Sequence, residues 1–395
     1  MSDSSAGETV RIEAVSGGST DGVRREDEGV AASERDGATT HLPEDFEVLL
    51  VGPTHGGGIV SYITEQRARL RDRVSVAVHD SGAPPAGSGI RRALYGLVTA
   101  LVALVRFATR SPPSLVHVHT SHRFSFYRKG LYVFFARYVW NVPVLLHVHG
   151  SEFDDFVRTE ARLVAAYQRA VFGACDEIVV LSEKWKDIVA TRAPRSKLRV
   201  LPNAVDPEAY RPDPTAEEPH FVFVSNLIER KGVTEFASAV ERLAERHPDE
   251  FRVSVAGDGP LSDRIERLAA THEEVAYHGY VSEDRKRELL AEGSVFVLPT
   301  YAEGLPIAML EGMAGANAIV STGVAAIPEV IDDDRGILVE PGDPEALADA
   351  LEALLTDPDR RTRLAENNRR AVEDEYSWTS VVDELLRIYA THARP

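Results

Sequence analysis

Short runs of β-branched and other apolar residues alternate with longer runs of helical periodicity through most of this chain. Between residues 46 and 203 the pattern predicts strands at 48–51, 74–78, 115–119, 144–148, 178–181 and 198–201. Helices are predicted between them, at 61–70, 93–107, 128–138, 162–173 and 184–191. Strands and helices that alternate in this way predict a parallel sheet covered by helices on both faces.

The alternation stops at 204–219, a segment rich in proline and acidic residues, and then resumes. Further strands are predicted at 221–225, 252–256, 276–280, 295–298, 318–321 and 336–339, with helices such as 233–247 and 261–271 between them. We therefore expect an α/β fold with two doubly wound, Rossmann-like domains, at 44–203 and 220–372, a linker at 204–219 and a last helix within 373–395. The carboxyl ends of both sets of strands would face a shared central cleft, where ligands of such sheets bind.

The composition excludes several classes of protein. A formal net charge of -18 over 395 residues argues against binding to nucleic acid. The longest apolar run, 93–105, is shorter than the roughly 20 residues that span a bilayer. Residues 1–43 are predicted to be a disordered acidic tail without a secretory signal. The one cysteine, Cys175, excludes an intramolecular disulfide and fits the cytoplasm.

Basic residues are mostly arginine, and acidic residues are abundant along the whole chain. This balance indicates a halophilic protein that is adapted to high salt. A GC-rich genome also favours arginine over lysine, so the composition leaves both explanations open.

The segment 295–331, VFVLPTYAEGLPIAMLEGMAGANAIVSTGVAAIPEVI, places two carboxylates around the start of a helix. Its strand ends before Pro299, a turn with Glu303 and Gly304 follows, and Pro306 lies where the first turn of a helix tolerates proline. Glu311 lies eight residues after Glu303, inside that helix. Because the amino end of a helix favours a diphosphate, both glutamates are free to accept hydrogen bonds from hydroxyl groups of a sugar or ribose.

Three further groups of residues follow predicted strands. The glycines 56–58 form a flexible turn that lets a ligand approach the backbone. His147 and His149 share one face of the fourth strand, with His149 nearer the cleft, and His117 and His119 repeat the pattern on the neighbouring strand. The loop SNLIERKG follows the first strand of the second predicted domain, and its cations would favour an anionic ligand.

The segment with Glu303 and Glu311 resembles the E-x7-E signature of the retaining glycosyltransferases of family 4, of the exopolysaccharide and lipid-linked glycan type. Other motifs occur in the family's order between about 48 and 344: VGPTHGGGIV, SFYRKGLYVFFARYVWNVPVLLHVHGSEF, IVVLSEKW, VLPNAVD, SNLIERKG, VAGDGP and HGYV. The resemblance implies the two-domain GT-B fold, a nucleotide-sugar donor, no cofactor and no metal ion. It also implies that the first domain binds the acceptor, the second binds the donor, and the last helix crosses back to the first domain.

The resemblance also assigns roles to individual residues. Catalytic roles are implied for three of them: His149 faces the transferred sugar, Glu303 holds its hydroxyl groups, and Lys231 binds the leaving phosphate. The residues expected to bind the donor are Gly57, Gly58, Asn226, Arg230, Lys231, Gly304, Leu305, Pro306 and Glu311, of which Glu311 holds the ribose.

The sequence departs from the family pattern at two places. Ser225-Asn226 stands where the family usually has Gly-Arg, so one expected cation is missing, and either Arg230 replaces it or catalysis is slow or absent. Ala325-Ala326 stands where many relatives have Gly-Gly, and the backbone there should be less permissive.

Residues 124–140 combine aromatic side chains with Arg128, Lys129 and Arg137. Such a helix suits lipid headgroups, which would place the protein peripherally at the inner face of the cell membrane, but a core helix with flanking cations fits the same residues.

The resulting hypothesis is a hexosyltransferase-type, metal-independent enzyme that transfers a sugar with retention. Its donor is a nucleotide-sugar, and its acceptor is a polyprenyl-linked or other lipid-linked glycan or a growing cell-surface glycan. Two alternatives remain open at this point: a non-catalytic homologue that binds nucleotide or glycan, and a metal hydrolase whose site begins with the His-x-His pairs.

Overall fold

The computed structural model describes residues 42–55, 58–82, 90–150, 153–212 and 219–393. Most of the predicted acidic tail, Gly57 in the glycine turn and residues 213–218 of the predicted linker lie outside the described residues.

The first half of the chain forms a parallel sheet of six strands in the order β2-β1-β3-β4-β5-β6. Its strands are β1 (Glu47–Gly52), β2 (Ser75–Asp80), β3 (Leu115–Thr120), β4 (Val144–Val148), β5 (Glu177–Val180) and β6 (Leu198–Val200). The helices between them are α1 (Gly58–Leu70), α2 (Ile90–Ala108), α3 (Phe124–Phe135), α4 (Phe153–Val157), α5 (Arg162–Ala174) and α6 (Glu183–Ala190). A π-helical turn, Ala136–Trp140, follows α3.

The second half forms another parallel sheet of six strands, in the order β12-β11-β10-β7-β8-β9. Its strands are β7 (His220–Val224), β8 (Arg252–Ala256), β9 (Val275–Tyr277), β10 (Val295–Leu298), β11 (Ala318–Thr322) and β12 (Gly336–Val339). Its helices are α7 (Val233–Arg246), α8 (Ser262–Thr271), α9 (Glu283–Glu292), α10 (Ile307–Ala314), α11 (Ile327–Val330), α12 (Pro344–Leu355) and α13 (Pro358–Asp374). The predicted class of two doubly wound α/β sheets is confirmed.

The last helix, α14 (Trp378–Ala390), packs on the first sheet. Trp378, Leu385 and Tyr389 share one buried apolar cluster with Val48 of β1 and Tyr62 of α1. The backbone N–H of Trp378 donates to the carbonyl oxygen of Val205 at 3.0 Å, which fixes the start of the helix beside the chain that leaves β6. The start of the predicted linker is accordingly buried and is not a loose connection.

The order of strands reverses at one place in each sheet, between β1 and β3 and between β7 and β10. Ligands of open α/β sheets bind beside the carboxyl ends of strands at such a reversal. The glycine turn follows β1, the loop from Ser225 to Gly232 follows β7, and the loop from Pro299 to Pro306 follows β10. The topology therefore brings three of the predicted motifs to the positions where a ligand binds.

Candidate active site

A buried ion pair joins the loops that follow β7 and β10. The ammonium group of Lys231 donates to Oε1 of Glu303, and the two side chains are 12% and 9% exposed. The Thr300 hydroxyl donates to the same oxygen at 3.2 Å, and a guanidinium nitrogen of Arg230 lies 4.0 Å from Oε2. The carboxylate therefore has a fixed orientation, and the lysine ammonium is held beside it with hydrogen-bonding capacity to spare.

Glycine backbone conformations allow these loops to pack closely. Gly232 has a φ of 70°, and a Cβ there would overlap the carbonyl oxygen of Pro299. Gly257, with a φ of 138°, packs in the same way against the carbonyl oxygen of Ser225. Only glycine meets both demands without strain, and these contacts bring Lys231 next to the loop that carries Glu303.

A second ion pair involves Glu311 on α10 and Lys286 on α9. The lysine Nζ lies 2.7 Å from Oε1 of Glu311 and 2.7 Å from Oε2 of Glu283. Burial raises the pKa of Glu311, and the nearby Lys286 ammonium offsets part of that rise. The Tyr210 hydroxyl also bonds to the Glu311 carboxylate. Burial lowers the pKa of Lys286, but the two carboxylates outweigh burial, and the net shift is upward.

Lys231 of the first ion pair and both members of the second, Lys286 and Glu311, line one open cleft of about 680 Å³. Gly58, Asn226, Lys231 and Glu311 are the predicted residues that line it. The cleft is within the range of roughly 300–1,000 Å³ that is usual for small-molecule sites. Residues from both halves of the chain form its walls, including Ser61, Glu65, Ala204, Tyr210, Asp258, Tyr280, Lys286, Arg287 and Trp378.

His149 lies just beyond β4 and is 7% exposed. Its Nε2 lies 3.0 Å from Nδ1 of His119, and its backbone N–H donates to the Thr120 carbonyl oxygen at 2.7 Å. Burial lowers the pKa of His149 to about 3, so its imidazole is neutral near pH 7. A neutral imidazole acts there as a hydrogen-bonding group and carries no positive charge.

The loops of the two sheets meet beside His149 and Glu303. Gly304 lies so close to Gly150 that a Cβ on Gly304 would be 3.7 Å from the Gly150 backbone nitrogen. The indole nitrogen of Trp185 donates to the Gly304 carbonyl oxygen at 3.2 Å, and the amide of Asn203 donates to that of Leu305 at 2.7 Å. These contacts hold the residues that follow His149 and Glu303 against each other.

Comparison with known proteins identifies the family. Residues 56–209 match the description Glycosyltransferase Family 4, and residues 218–357 match Glycosyl transferases group 1. The alpha-maltose-1-phosphate synthase of Mycolicibacterium smegmatis is 30% identical over 84% of this chain and 95% of its own length. This chain belongs to the family 4 glycosyltransferases. It is therefore a retaining, metal-independent type of enzyme that transfers a sugar from a nucleotide-sugar donor.

Two further proteins are similar to this chain, one in sequence and one in fold. The alpha-D-kanosaminyltransferase of Streptomyces kanamyceticus is 27% identical over 88% of this chain and 86% of its own. The solved structure of Anabaena HepE in complex with UDP-glucose has a TM-score of 0.66 at 12% identity, covering 89% of this chain and 100% of that chain. The structural likeness agrees with the GT-B fold expected for a family 4 enzyme.

The remaining residues predicted for the donor site lie around α10. Pro306 is the residue that precedes the helix, one position earlier than predicted, and it is buried together with Leu305. Gly304 is half-buried in the same turn. None of the three is among the residues that line the cleft, and their role in binding the donor stays a prediction.

Arg230 is the cation predicted to replace the arginine that the family usually has at Asn226, and this replacement stays a prediction. Its guanidinium donates to the Ala302 carbonyl oxygen at 2.5 Å, and the residue does not line the cleft. Lys286 and Arg287, which the sequence analysis missed, do line it. The signal for them was weak, because α9 is rich in charged residues and buries only Leu289 and Leu290.

The second departure from the family pattern, Ala325-Ala326, lies in a turn whose backbone conformation favours glycine. Ala325 has a φ of 49°, in the left-handed region where glycine is favoured. Glu329 of the following helix, α11, accepts hydrogen bonds from the backbone N–H groups of Glu183 and Lys184, at 2.9 and 2.7 Å. The strained turn at Ala325 is thus followed by a helix whose Glu329 carboxylate caps the amino end of α6, a helix of the first half of the chain.

Proposed function

We propose that this glycosyltransferase transfers a hexose from a UDP-sugar to a lipid-linked or growing cell-surface glycan. The observation that carries the proposal is the cleft of about 680 Å³ between the two sheets, with Lys231 and Glu311 in its wall. The choice of UDP is supported by the similar fold of HepE, which was solved with UDP-glucose. Residues 220–372 would bind the donor, 44–203 the acceptor, and 373–395 would link back to the acceptor side.

Lys231 is proposed to stabilise the departing diphosphate. An ammonium group has three donors, so it can keep its bond to Glu303 and still bind a phosphate oxygen. A cation held in place before the reaction lowers the barrier, since it needs no reorganisation as charge develops on the leaving group. The amino end of α10 would add its partial positive charge on the same side.

The two glutamates are proposed to bind neutral hydroxyl groups. Glu311 already accepts from Lys286 and from the Tyr210 hydroxyl, and the remaining acceptor positions of its two oxygens suit the ribose hydroxyls. Glu303 would hold hydroxyl groups of the transferred sugar, and His149 would face the sugar from the other sheet. We propose front-face displacement, in which the acceptor hydroxyl attacks from the side of the leaving phosphate and that phosphate takes the proton.

The donor is tested by melting temperature with UDP, GDP and ADP on the wild type, Glu311→Gln and Glu288→Gln. Glu288 is a matched control, because it lies on α9 and pairs with the exposed Arg285. A ligand at 100 times its Kd stabilises a protein by about 2.7 kcal/mol, which is a shift of a few degrees at this size. We expect a shift with UDP that Glu288→Gln keeps and Glu311→Gln loses. No shift with any nucleotide would contradict the donor site.

The acceptor is tested by product analysis with a radiolabelled UDP-hexose. Polyprenyl-phosphate-linked sugar and a soluble sugar phosphate are offered in parallel, the second because the 30% identical relative is an alpha-maltose-1-phosphate synthase. Transfer of label to the lipid fraction is expected. Transfer to the sugar phosphate alone would replace the lipid-linked acceptor with a soluble one.

A lipid-linked acceptor requires a surface that meets the membrane, and we propose the outer face of α2 for it. No described helix is both long and apolar enough to cross a bilayer. However, α2 exposes a row of large apolar side chains: Tyr95, Leu97, Val98, Leu101 and Val105. Phe124, Tyr127 and Leu131 of α3 are also exposed, whereas Phe126 and Lys129 are buried. The predicted aromatic segment is thus a core element on one side and an exposed apolar surface on the other.

The charge around this surface differs from that of the whole chain. Residues 81–150 contain no aspartate or glutamate, although the chain has a net charge of -18. Besides the buried Lys129, the same segment carries seven arginines: Arg91, Arg92, Arg106, Arg110, Arg123, Arg128 and Arg137. Apolar side chains next to positive charge are the two features that bind a helix to an anionic membrane.

Sedimentation with vesicles tests the membrane surface. We expect the protein to bind phosphatidylglycerol vesicles, to bind phosphatidylcholine vesicles less, and to lose binding in Leu97→Ser/Leu101→Ser. Leu163→Ser is the control, because Leu163 is 87% exposed on α5. Equal binding by all variants, or no binding to either vesicle, would contradict a role for α2.

A further inference from the structure

Four histidines lie together on one face of the first sheet. His117 and His119 project from β3, and His147 and His149 project from the end of β4, where His119 is the register partner of His147. Their rings stack: the centroids of His117 and His147 are 5.4 Å apart at 8°, and those of His147 and His149 are 4.0 Å apart at 28°. His117, His119 and His147 are completely buried.

Four of the six ring nitrogens of His117, His119 and His147 lack hydrogen-bond partners. Nε2 of His117, Nε2 of His119 and both nitrogens of His147 are buried and unpaired. The hydroxyl of Tyr62, whose ring lies edge-on to His147 with 5.3 Å between centroids, is also unpaired. Buried polar atoms are paired in almost all cases, and each exception asks for an explanation such as an ion.

We propose that His117, His119 and His147 bind a divalent transition metal ion. One ligating nitrogen from each of them lies within 4.8 Å of the others. A Zn–N bond of about 2.0–2.1 Å places tetrahedral nitrogens about 3.4 Å apart. Small ring rotations would therefore close the site around the ion. Water or the Tyr62 hydroxyl would take the fourth position.

The outer contacts of two ligands have the form that metal sites require. A histidine that binds a metal through one nitrogen donates its other N–H to a hydrogen-bond acceptor. Nδ1 of His117 lies 2.7 Å from the Tyr389 hydroxyl of α14, and Nδ1 of His119 lies 3.0 Å from Nε2 of His149. With an ion on both Nε2 atoms, both Nδ1 atoms carry the proton and donate it to Tyr389 and His149. The Gln66 amide nitrogen, 3.3 Å from Nδ1 of His117, then donates to the Tyr389 hydroxyl at 3.5 Å instead.

The ligand chemistry restricts which ion fits. Imidazole nitrogens suit zinc, cobalt, nickel and copper, whereas magnesium and calcium bind oxygen ligands, and the cluster contains no carboxylate. None of the three histidines lines the donor cleft, although Tyr62 does, and the ion would take no part in leaving-group departure. It would tie α14 to the first sheet through Tyr389, and it would fix the proton between His119 and His149.

Metal binding is measured directly on the full-length chain, purified without a polyhistidine tag and stripped with EDTA. Titration with Co²⁺ should give the visible absorption of a tetrahedral complex that saturates at one ion per chain and is displaced by Zn²⁺. His119→Gln and His147→Gln should lose this complex. His79→Gln is the matched control, because His79 is also buried in the sheet but contacts Phe107 and Tyr132.

A second variant protects the test against misfolding. Tyr389→Phe keeps the packing of α14 and removes only the acceptor for His117, so the Kd for Co²⁺ should rise by about 10–100-fold. Failure of the wild type to bind one ion per chain would overturn the proposal. Equal binding by His147→Gln and His79→Gln, or an unchanged Kd in Tyr389→Phe, would also overturn it. Because the experiment measures the bound ion itself, none of these outcomes depends on the proposed donor or acceptor.

Discussion

Replacing Lys231 with methionine separates the structural role of the buried ion pair from its proposed catalytic role. Methionine preserves most of the length of the lysine side chain and removes its charge. Glu303, whose side chain is 9% exposed, would then keep only the Thr300 hydroxyl at 3.2 Å and the Arg230 guanidinium at 4.0 Å. Lys231→Met therefore leaves a carboxylate that is desolvated and only partly compensated.

The loss of stability can be estimated from this environment. Removing one partner of a buried ion pair typically costs about 3–5 kcal/mol, because the other charge remains buried. Thr300 and Arg230 stay in contact with Glu303, so we expect a value near the lower limit, about 3 kcal/mol. The double variant Lys231→Met/Glu303→Gln removes both charges, and it should recover at least about half of that loss.

The catalytic effect should behave differently. Loss of a preorganised group that stabilises transition-state charge lowers kcat by about 10²–10³-fold. The double variant should not recover this loss, since the leaving phosphate still lacks its cation.

Urea denaturation and steady-state hydrolysis of the UDP-sugar measure the two effects on the same samples. Lys186→Met is the matched control, because Lys186 pairs with Glu183, whose side chain is 60% exposed, and such surface pairs contribute about 0–1 kcal/mol. If Lys231→Met is as stable as Lys186→Met, the ion pair does not have the assigned energy. If its kcat matches the wild type, Lys231 does not stabilise the leaving group.

Four further predictions concern stability. Burial lowers the pKa of His117 and of His149 from 6.5 to about 3, so the unfolded chain binds more protons than the folded chain below pH 6.5. Each histidine should therefore lower the free energy of unfolding by about 1.4 kcal/mol as the pH falls from 7.5 to 5.5. A free energy of unfolding that does not change with pH, measured by urea denaturation of metal-free protein, would refute this. Ala325→Gly should stabilise by about 1 kcal/mol, since φ is 49° there, and a lower Tm would contradict the strain. Gly232→Ala should destabilise the protein by more than about 2 kcal/mol, because its Cβ would overlap the Pro299 carbonyl oxygen. Gly173→Ala, at an open position in a helix, should stabilise the protein by roughly 0.5–1 kcal/mol. Equal Tm values for the two variants would count against the backbone argument. The Tm should rise in concentrated KCl, because salt screens the repulsion behind a net charge of -18, and a fall would remove the basis for salt adaptation.

The strands were the most predictable elements of this fold. β4, β8, β10 and β12 begin and end at the residues that the sequence predicts. Parallel strands that are buried on both faces read as continuous apolar runs, so their limits are visible without the tertiary structure. α9 was not predicted, because its exposed face is charged and only two of its residues are buried. It nevertheless supplies Lys286 to the cleft.

The sequence by itself determined the class of fold, the family, and which strand ends carry Lys231, Glu303 and Glu311. These are local properties, since each depends on a strand, a turn and the start of a helix that are adjacent in the chain. The pairing of charges was decided only by the tertiary structure. Lys231 and Glu303 are 72 residues apart, and they meet because β7 and β10 are neighbours in the sheet. The histidine cluster likewise exists because β3 pairs with β4 while α14 returns from the end of the chain to cover them.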